Sequence, residues 1–152
     1  MRDDSPTLYE CENCAVTFST RIFEIARAFE KVSYSRALPS VAVRSSESLA
    51  NFCSADCRTK GRDAVMARYR VPVLRVGIGP IEPCARCRGP VDMTEFHITF
   101  TESEMVERDV TILEPVDVDY LAVLCRNCQT ADAVRVIGST DINAPQKTIN
   151  EC

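Results

Sequence analysis

Tryptophan is absent, and a single His, five Gly and 7% aromatic residues are spread over 152 positions. One His excludes any metal or nuclease centre that needs two imidazoles, so zinc or redox chemistry must rest mostly on sulfur. No apolar run approaches ~18 residues, which excludes a membrane-spanning helix. Met1-Arg2-Asp3-Asp4-Ser5-Pro6 lacks the apolar core of a secretion leader, and the expectation is a cytoplasmic protein with no membrane contact. No Gly-rich phosphate loop, nucleophile elbow or acid/base pair is present, so no enzymatic activity is expected. With 45% hydrophobic and 26% charged residues the chain has the balance of a folded protein, long enough for one ordinary domain or two very small ones.

What the chain has in excess is cysteine: nine residues, against a background of about one to two per hundred. Eight fall in close pairs: Cys11/Cys14, Cys53/Cys57, Cys84/Cys87 and Cys125/Cys128; Cys152 stands alone. A C-x2-C turn aims two thiolates at one point, and two such pairs complete a tetrahedron of sulfur around zinc. The pairs therefore predict two structural Zn2+ ions, with iron, as a four-thiolate centre or Fe–S cluster, the lesser alternative. A closed four-sulfur site has no open coordination position, which disfavours catalytic zinc.

The pairs repeat. Cys84 and Cys87 lie 73 positions beyond Cys11 and Cys14, and Cys125 lies 72 beyond Cys53. At that spacing Phe23-Glu24-Ile25 falls on Phe96-His97-Ile98, Phe52 on Leu124 and, with a short gap, Asp63-Ala64-Val65 on Asp132-Ala133-Val134. A tandem duplication favours a sequential ligand scheme over a cross-brace. Cys11, Cys14, Cys53 and Cys57 then form site one, and Cys84, Cys87, Cys125 and Cys128 site two. The expected organisation is a first module over 1–70, a linker over 71–83, a second module over 84–138 and a loose tail over 139–152.

Local patterns give a small α+β protein with a β-rich middle and a short C-terminal helix in each module. Ser54 caps a helix through Tyr69, bounded by Pro72, with Cys57, Ala64, Val65 and Arg68 on one face. Residues 21–32 fit a helical stripe or an alternating strand, and the comparison with Phe96, Ile98 and Phe100 tips the reading to a strand. Ser-rich 40–48 reads as including a loop. Residues 95–101, 106–113 and 120–124 read as three strands, a short strand is expected over 71–76, and a helix runs from Cys125 to about Val136. His97 reads as a surface or half-buried strand residue.

A two-Cys knuckle, a β-rich middle and two Cys at a helix start resemble the treble-clef group of zinc fingers. Cys11-Glu12-Asn13-Cys14 with Phe18, then Asn51-Phe52-Cys53-Ser54-Ala55-Asp56-Cys57-Arg58, is similar to the FCS-type fingers of the MYM/TRASH kind. Cys84-Ala85-Arg86-Cys87 with Leu124-Cys125-Arg126-Asn127-Cys128 resembles a generic treble clef or zinc ribbon, and the metal half of HNH nucleases, whose His is replaced here by Gln129. The resemblance implies a non-enzymatic module that contacts protein or nucleic acid.

Charge bears on which. Residues 1–75 hold 12 basic and 9 acidic side chains, and residues 76–152 hold 6 and 13. Net acidity disfavours general nucleic-acid binding, and a protein partner is expected. The alternative, a phosphate-contacting surface, would use Arg58, Lys60, Arg62, Arg68, Arg70 and Arg75. Glu102, Glu104, Glu107, Asp109, Glu114, Asp117 and Asp119 read as a solvated hairpin.

Overall fold

The computed structural model describes residues 5–35, 38–109 and 112–129. The elements in chain order are β1 (Tyr9–Glu10), β2 (Thr17–Phe18), β3 (Arg21–Ser33), β4 (Ser40–Phe52), α1 (Ala55–Arg68), β5 (Ile81–Pro83), β6 (Pro90–Asp92), β7 (His97–Asp109) and β8 (Ile112–Leu124). Residues 126–129 are helical. The rest of the helix expected through Val136, and the 139–152 tail, lie outside the described residues.

The duplication is visible in the backbone. β1 pairs with β2 around the first C-x2-C, and β5 with β6 around the second. In the first knuckle Cys11 N–H donates to Val16 O and Ala15 N–H to Cys11 O, at 2.9 and 2.8 Å. In the second, Cys84 N–H donates to Gly89 O and Arg88 N–H to Cys84 O, at 2.8 and 2.9 Å. Ala15 and Arg88, 73 positions apart, both adopt left-handed backbone, with φ of 62° and 65°.

Each knuckle is followed by a long antiparallel hairpin, and the two hairpins join. The four-stranded sheet runs β4-β3-β7-β8, with β3 and β7 antiparallel at its centre. The units expected at 1–70 and 84–138 are thus continuous through one sheet. Phe52 lies opposite Phe23, whereas its counterpart Leu124 lies opposite Ile98 rather than Phe96. The duplication is therefore displaced by two residues from the alignment of Phe23 on Phe96. An even displacement keeps the same side chains on the same face, which is why hydrophobic pattern alone did not reveal it.

The 21–32 ambiguity resolves as strand throughout. The pairing of β3 with β4 shifts register between Ile25 and Ala26 and again between Phe29 and Glu30, so burial does not alternate cleanly and Ile25 and Ala26 are both buried. The loop expected over 40–48 is instead the first part of β4. Its residues are exposed, but their backbone is held by the ladder to β3, and pairing overrides a Ser-rich composition. The three strands expected in the second half are two: β7 and β8 absorb them, β7 ending at Asp109 and β8 starting at Ile112 inside the span expected as one strand over 106–113. Pro115 is accommodated because β8 is an edge strand. Residues 71–76 form no strand; Leu74 N–H donates a single bond to Leu121 O at 2.8 Å.

Helix α1 starts where Ser54 Oγ accepts the Cys57 N–H at 3.1 Å. It stops before Pro72 is reached. Arg70 takes φ 54°, Arg70 N–H donates to Ala67 O and Val71 N–H to Met66 O, a Schellman ending with Arg where Gly is usual. Val65 and Met66, not Ala64 and Arg68, are the buried face. They join Ile25, Ala50, Phe52, Phe100 and Leu121 to Leu124 in one core cluster. Gly61 lies directly over Phe52: a Cβ there would sit 2.5 Å from Phe52 Cε1. Gly61→Ala should therefore lower stability by ~1–3 kcal/mol despite its better helix propensity. Urea denaturation measures this, and an unchanged or raised midpoint would contradict the packing.

Candidate metal centres

The end of β4 carries Cys53 into the start of α1, which holds Cys57; the β1–β2 knuckle supplies Cys11 and Cys14. The end of β8 carries Cys125 into the 126–129 turn with Cys128; the β5–β6 knuckle supplies Cys84 and Cys87. Each knuckle docks on its strand by one equivalent bond, Glu12 N–H to Asn51 O and Ala85 N–H to Val123 O, both 2.9 Å. The sulfur atoms gather in two groups, Cys11, Cys14, Cys53, Cys57 and Cys84, Cys87, Cys125, Cys128, all within 4.8 Å inside each group. This is the sequential arrangement. Because β3 and β7 are antiparallel, the groups lie toward opposite ends of the sheet. Phe23 and Phe29, the β3 positions nearest them, are separated by ~20 Å of strand.

The spacing fits a tetrahedral ion. Cys14 and Cys53 sulfurs are 3.6 Å apart and Cys53 and Cys57 3.7 Å. In the second group Cys84–Cys128 and Cys87–Cys125 are both 3.6 Å. A four-thiolate ion with bonds of ~2.3 Å requires about 3.8 Å between sulfurs, whereas a disulfide requires ~2.05 Å. Both groups could hold a metal ion.

The thiols are unevenly poised. Burial opposes ionisation of Cys11, but N–H groups of Cys14, Cys53 and Asn13 outweigh it and bring the thiol down to about 6. Burial also opposes ionisation of Cys84, where N–H groups of Cys87, Cys125 and Arg86 win. Conversely, burial and neighbouring sulfur push Cys53 up to about 12, and burial, with Cys87 and Cys84, pushes Cys125 up to about 11. Four thiolates cannot crowd together unaided; a bound metal cation would supply the compensating charge.

The basic segment is not arrayed as one surface. Glu102, with only 3% of its side chain exposed, accepts from Arg62 Nε at 2.6 Å and Arg75 Nη2 at 2.8 Å, with Arg58 Nε at 3.5 Å. Arg58 also donates to Ser103 O at 2.7 Å and lies over Phe23. Lys60 pairs with Asp56, and Arg68 with Glu12. Arg70 is exposed at the Schellman turn. Glu102 thus leaves the solvated hairpin and becomes the ionic link between α1 and β7; nothing in the acidic run distinguishes it in sequence. His97 is buried in β7 rather than at the surface, with Nδ1 2.8 Å from Glu95 O, and belongs to neither sulfur group.

Sequence reasoning also missed Arg86. Its guanidinium donates to Tyr69 O at 2.8 Å, and to Arg70 O and Cys128 O, both at 3.2 Å. It ties the second knuckle to the end of α1 and to its own fourth sulfur residue.

Burial would raise the Glu102 pKa, but hydrogen bonds from Arg75 and Arg62 and the charge of Arg58 hold it below the usual range. A depressed folded-state pKa gives stability that is complete above the unfolded value of about 4.3 and is lost as pH falls through the folded value. Glu102→Gln should cost ~3 kcal/mol at neutral pH by leaving buried guanidinium charge uncompensated, and should flatten the acid limb of the stability profile. An unaltered acid limb would show that Glu102 is not the titrating group. Ala15→Gly, which relieves left-handed strain, should stabilise by up to about 1 kcal/mol in thermal unfolding.

No family model, curated protein or solved structure matches this chain.

Proposed function

We propose that this protein is a non-enzymatic zinc-binding interaction module, an adaptor or regulator, in which two structural Zn2+ ions hold a protein-binding surface. The observation that carries this reading is the closure of all eight paired sulfurs into two sets at tetrahedral spacing. Such sites supply folding free energy and leave no coordination position for substrate. The order of knuckle, long hairpin and helix start in the first half supports the treble-clef, FCS-type reading.

A protein partner is favoured over nucleic acid. Arg58, Arg62 and Arg75 turn to Glu102, and Lys60 and Arg68 to surface carboxylates, so most of the basic segment already has anionic partners. The zinc adds charge to a chain of net −4, since each four-thiolate ion carries a formal −2. No helix among the described residues is long and apolar enough to cross a membrane.

Elemental analysis of the purified protein should find two zinc ions per chain, and Cys11→Ser and Cys84→Ser should each remove one. Iron in their place, or a fold that survives a strong chelator unchanged, would overturn the structural-zinc reading. Affinity capture with the metal-loaded chain should enrich protein in a nuclease-insensitive way; capture of nucleic acid alone, abolished by salt, would instead favour the phosphate-contacting surface.

A further inference from the structure

The two knuckles share a backbone but not their surroundings. Several counterparts 73 positions apart are more buried in the second knuckle. Met93 is 0% exposed, and its counterpart Thr20 is exposed; Val91 is buried, and Phe18 only partly so. Ala85 is buried, whereas Glu12 reaches Arg68 in a surface pair, an interaction worth ~0–1 kcal/mol. Arg86 makes its three bonds to backbone carbonyls, while its counterpart Asn13 makes one contact, Nδ2 to Cys57 Sγ at 3.4 Å. The sulfurs follow suit. Cys84 and Cys128 are both buried in the second group; in the first only Cys11 is, and Cys14 is exposed.

We propose that the first group is an exchangeable metal centre and the second a permanent one. The inference rests on the metal-binding reading above. Exchange at a closed four-thiolate ion requires an incoming ligand to reach the metal as one thiolate leaves, through a transient five-coordinate state. Cys14 offers the accessible edge. With an ion bound, an incoming thiolate would take the place of the Cys14 sulfur, which would leave and take a proton from water, with no change of oxidation state. Opening of this knuckle breaks the β1–β2 ladder of two residues per strand and the Glu12–Asn51 bond. Opening of the other must also break the Arg86 contacts and expose Ala85, Val91 and Met93. Local opening is cheaper where less is buried. Residues 5–18 are thus released by metal loss while the sheet stays anchored at its other end, which couples the presented surface to the supply of metal and competing thiols.

The test begins with full-length protein shown by elemental analysis to carry two ions per chain. A content that stays below two even after incubation with excess zinc would sink the metal-binding reading itself and so separate its failure from that of exchange. Release into a chromogenic pyridylazo chelator is then followed in time, with iodoacetamide labelling mapped by mass spectrometry at the plateau of the first phase. Two phases of one ion each are expected, the first about tenfold faster or more, with label on Cys11, Cys14, Cys53 and Cys57. Arg86→Ala should accelerate the slow phase and leave the fast one unchanged. A single phase, or label first on Cys84, Cys87, Cys125 and Cys128, overturns the proposal.

Discussion

The antiparallel ladder between β3 and β7 is the contact on which the rest of the molecule depends. Each repeat supplies one hairpin, and a lone two-stranded hairpin is marginal in water. Joined centre to centre, the hairpins form a four-stranded sheet, whose face carries α1 and a single core cluster running from Val65 and Met66 to Leu121–Leu124. The same antiparallel pairing sends the two sulfur groups to opposite ends. Glu102 reinforces the join: it stands on β7 opposite Ile25 of β3 and collects three guanidinium groups from α1 and the segment that follows. The charge imbalance between the halves of the chain is in part the signature of this internal contact.

The two halves carry copies of one backbone arrangement with different side chains around it. The left-handed residues after Cys14 and Cys87 and the docking bonds to Asn51 and Val123 are preserved. Thiol poise is preserved too: Cys11 and Cys84 are lowered by backbone N–H groups that outweigh burial, and Cys53 and Cys125 are raised. What differs is what surrounds the knuckles, buried aliphatic side chains and Arg86 on one side, solvent and Asn13 on the other. Two sulfur groups of equal spacing are thus set in unequal packing.

The ligand sets were legible because thiolate chemistry demands short local spacing and because the 73-residue repeat assigns each pair its companion. The α1 cap was legible because Ser54 acts on an N–H three residues away. Less legible were the elements whose state depends on distant partners. Residues 40–48 look like a loop and become a strand because β3 lies beside them. Residues 21–32 carry both periodicities, since the register shifts against β4 at Ile25/Ala26 and Phe29/Glu30 interrupt the alternation of the strand. The end of α1 at Tyr69 was legible, but not its cause: the turn is made by Arg70 in a left-handed conformation for which Gly would have been the signal.

By itself, then, the sequence determined the sulfur chemistry: eight cysteines in four close pairs, and a repeat that sorts those pairs into two quartets. Those conclusions depend on residue type and short spacing, which survive without coordinates. Tertiary structure alone decided that the repeats share one sheet, that Glu102 is buried, and that Arg58 and Arg62 turn inward to it while Lys60, Arg68 and Arg70 stay at the surface. The sheet and the Glu102 contacts join residues about 30 to 80 positions apart, and strand pairing and ion pairing at that range leave no periodic trace along the chain.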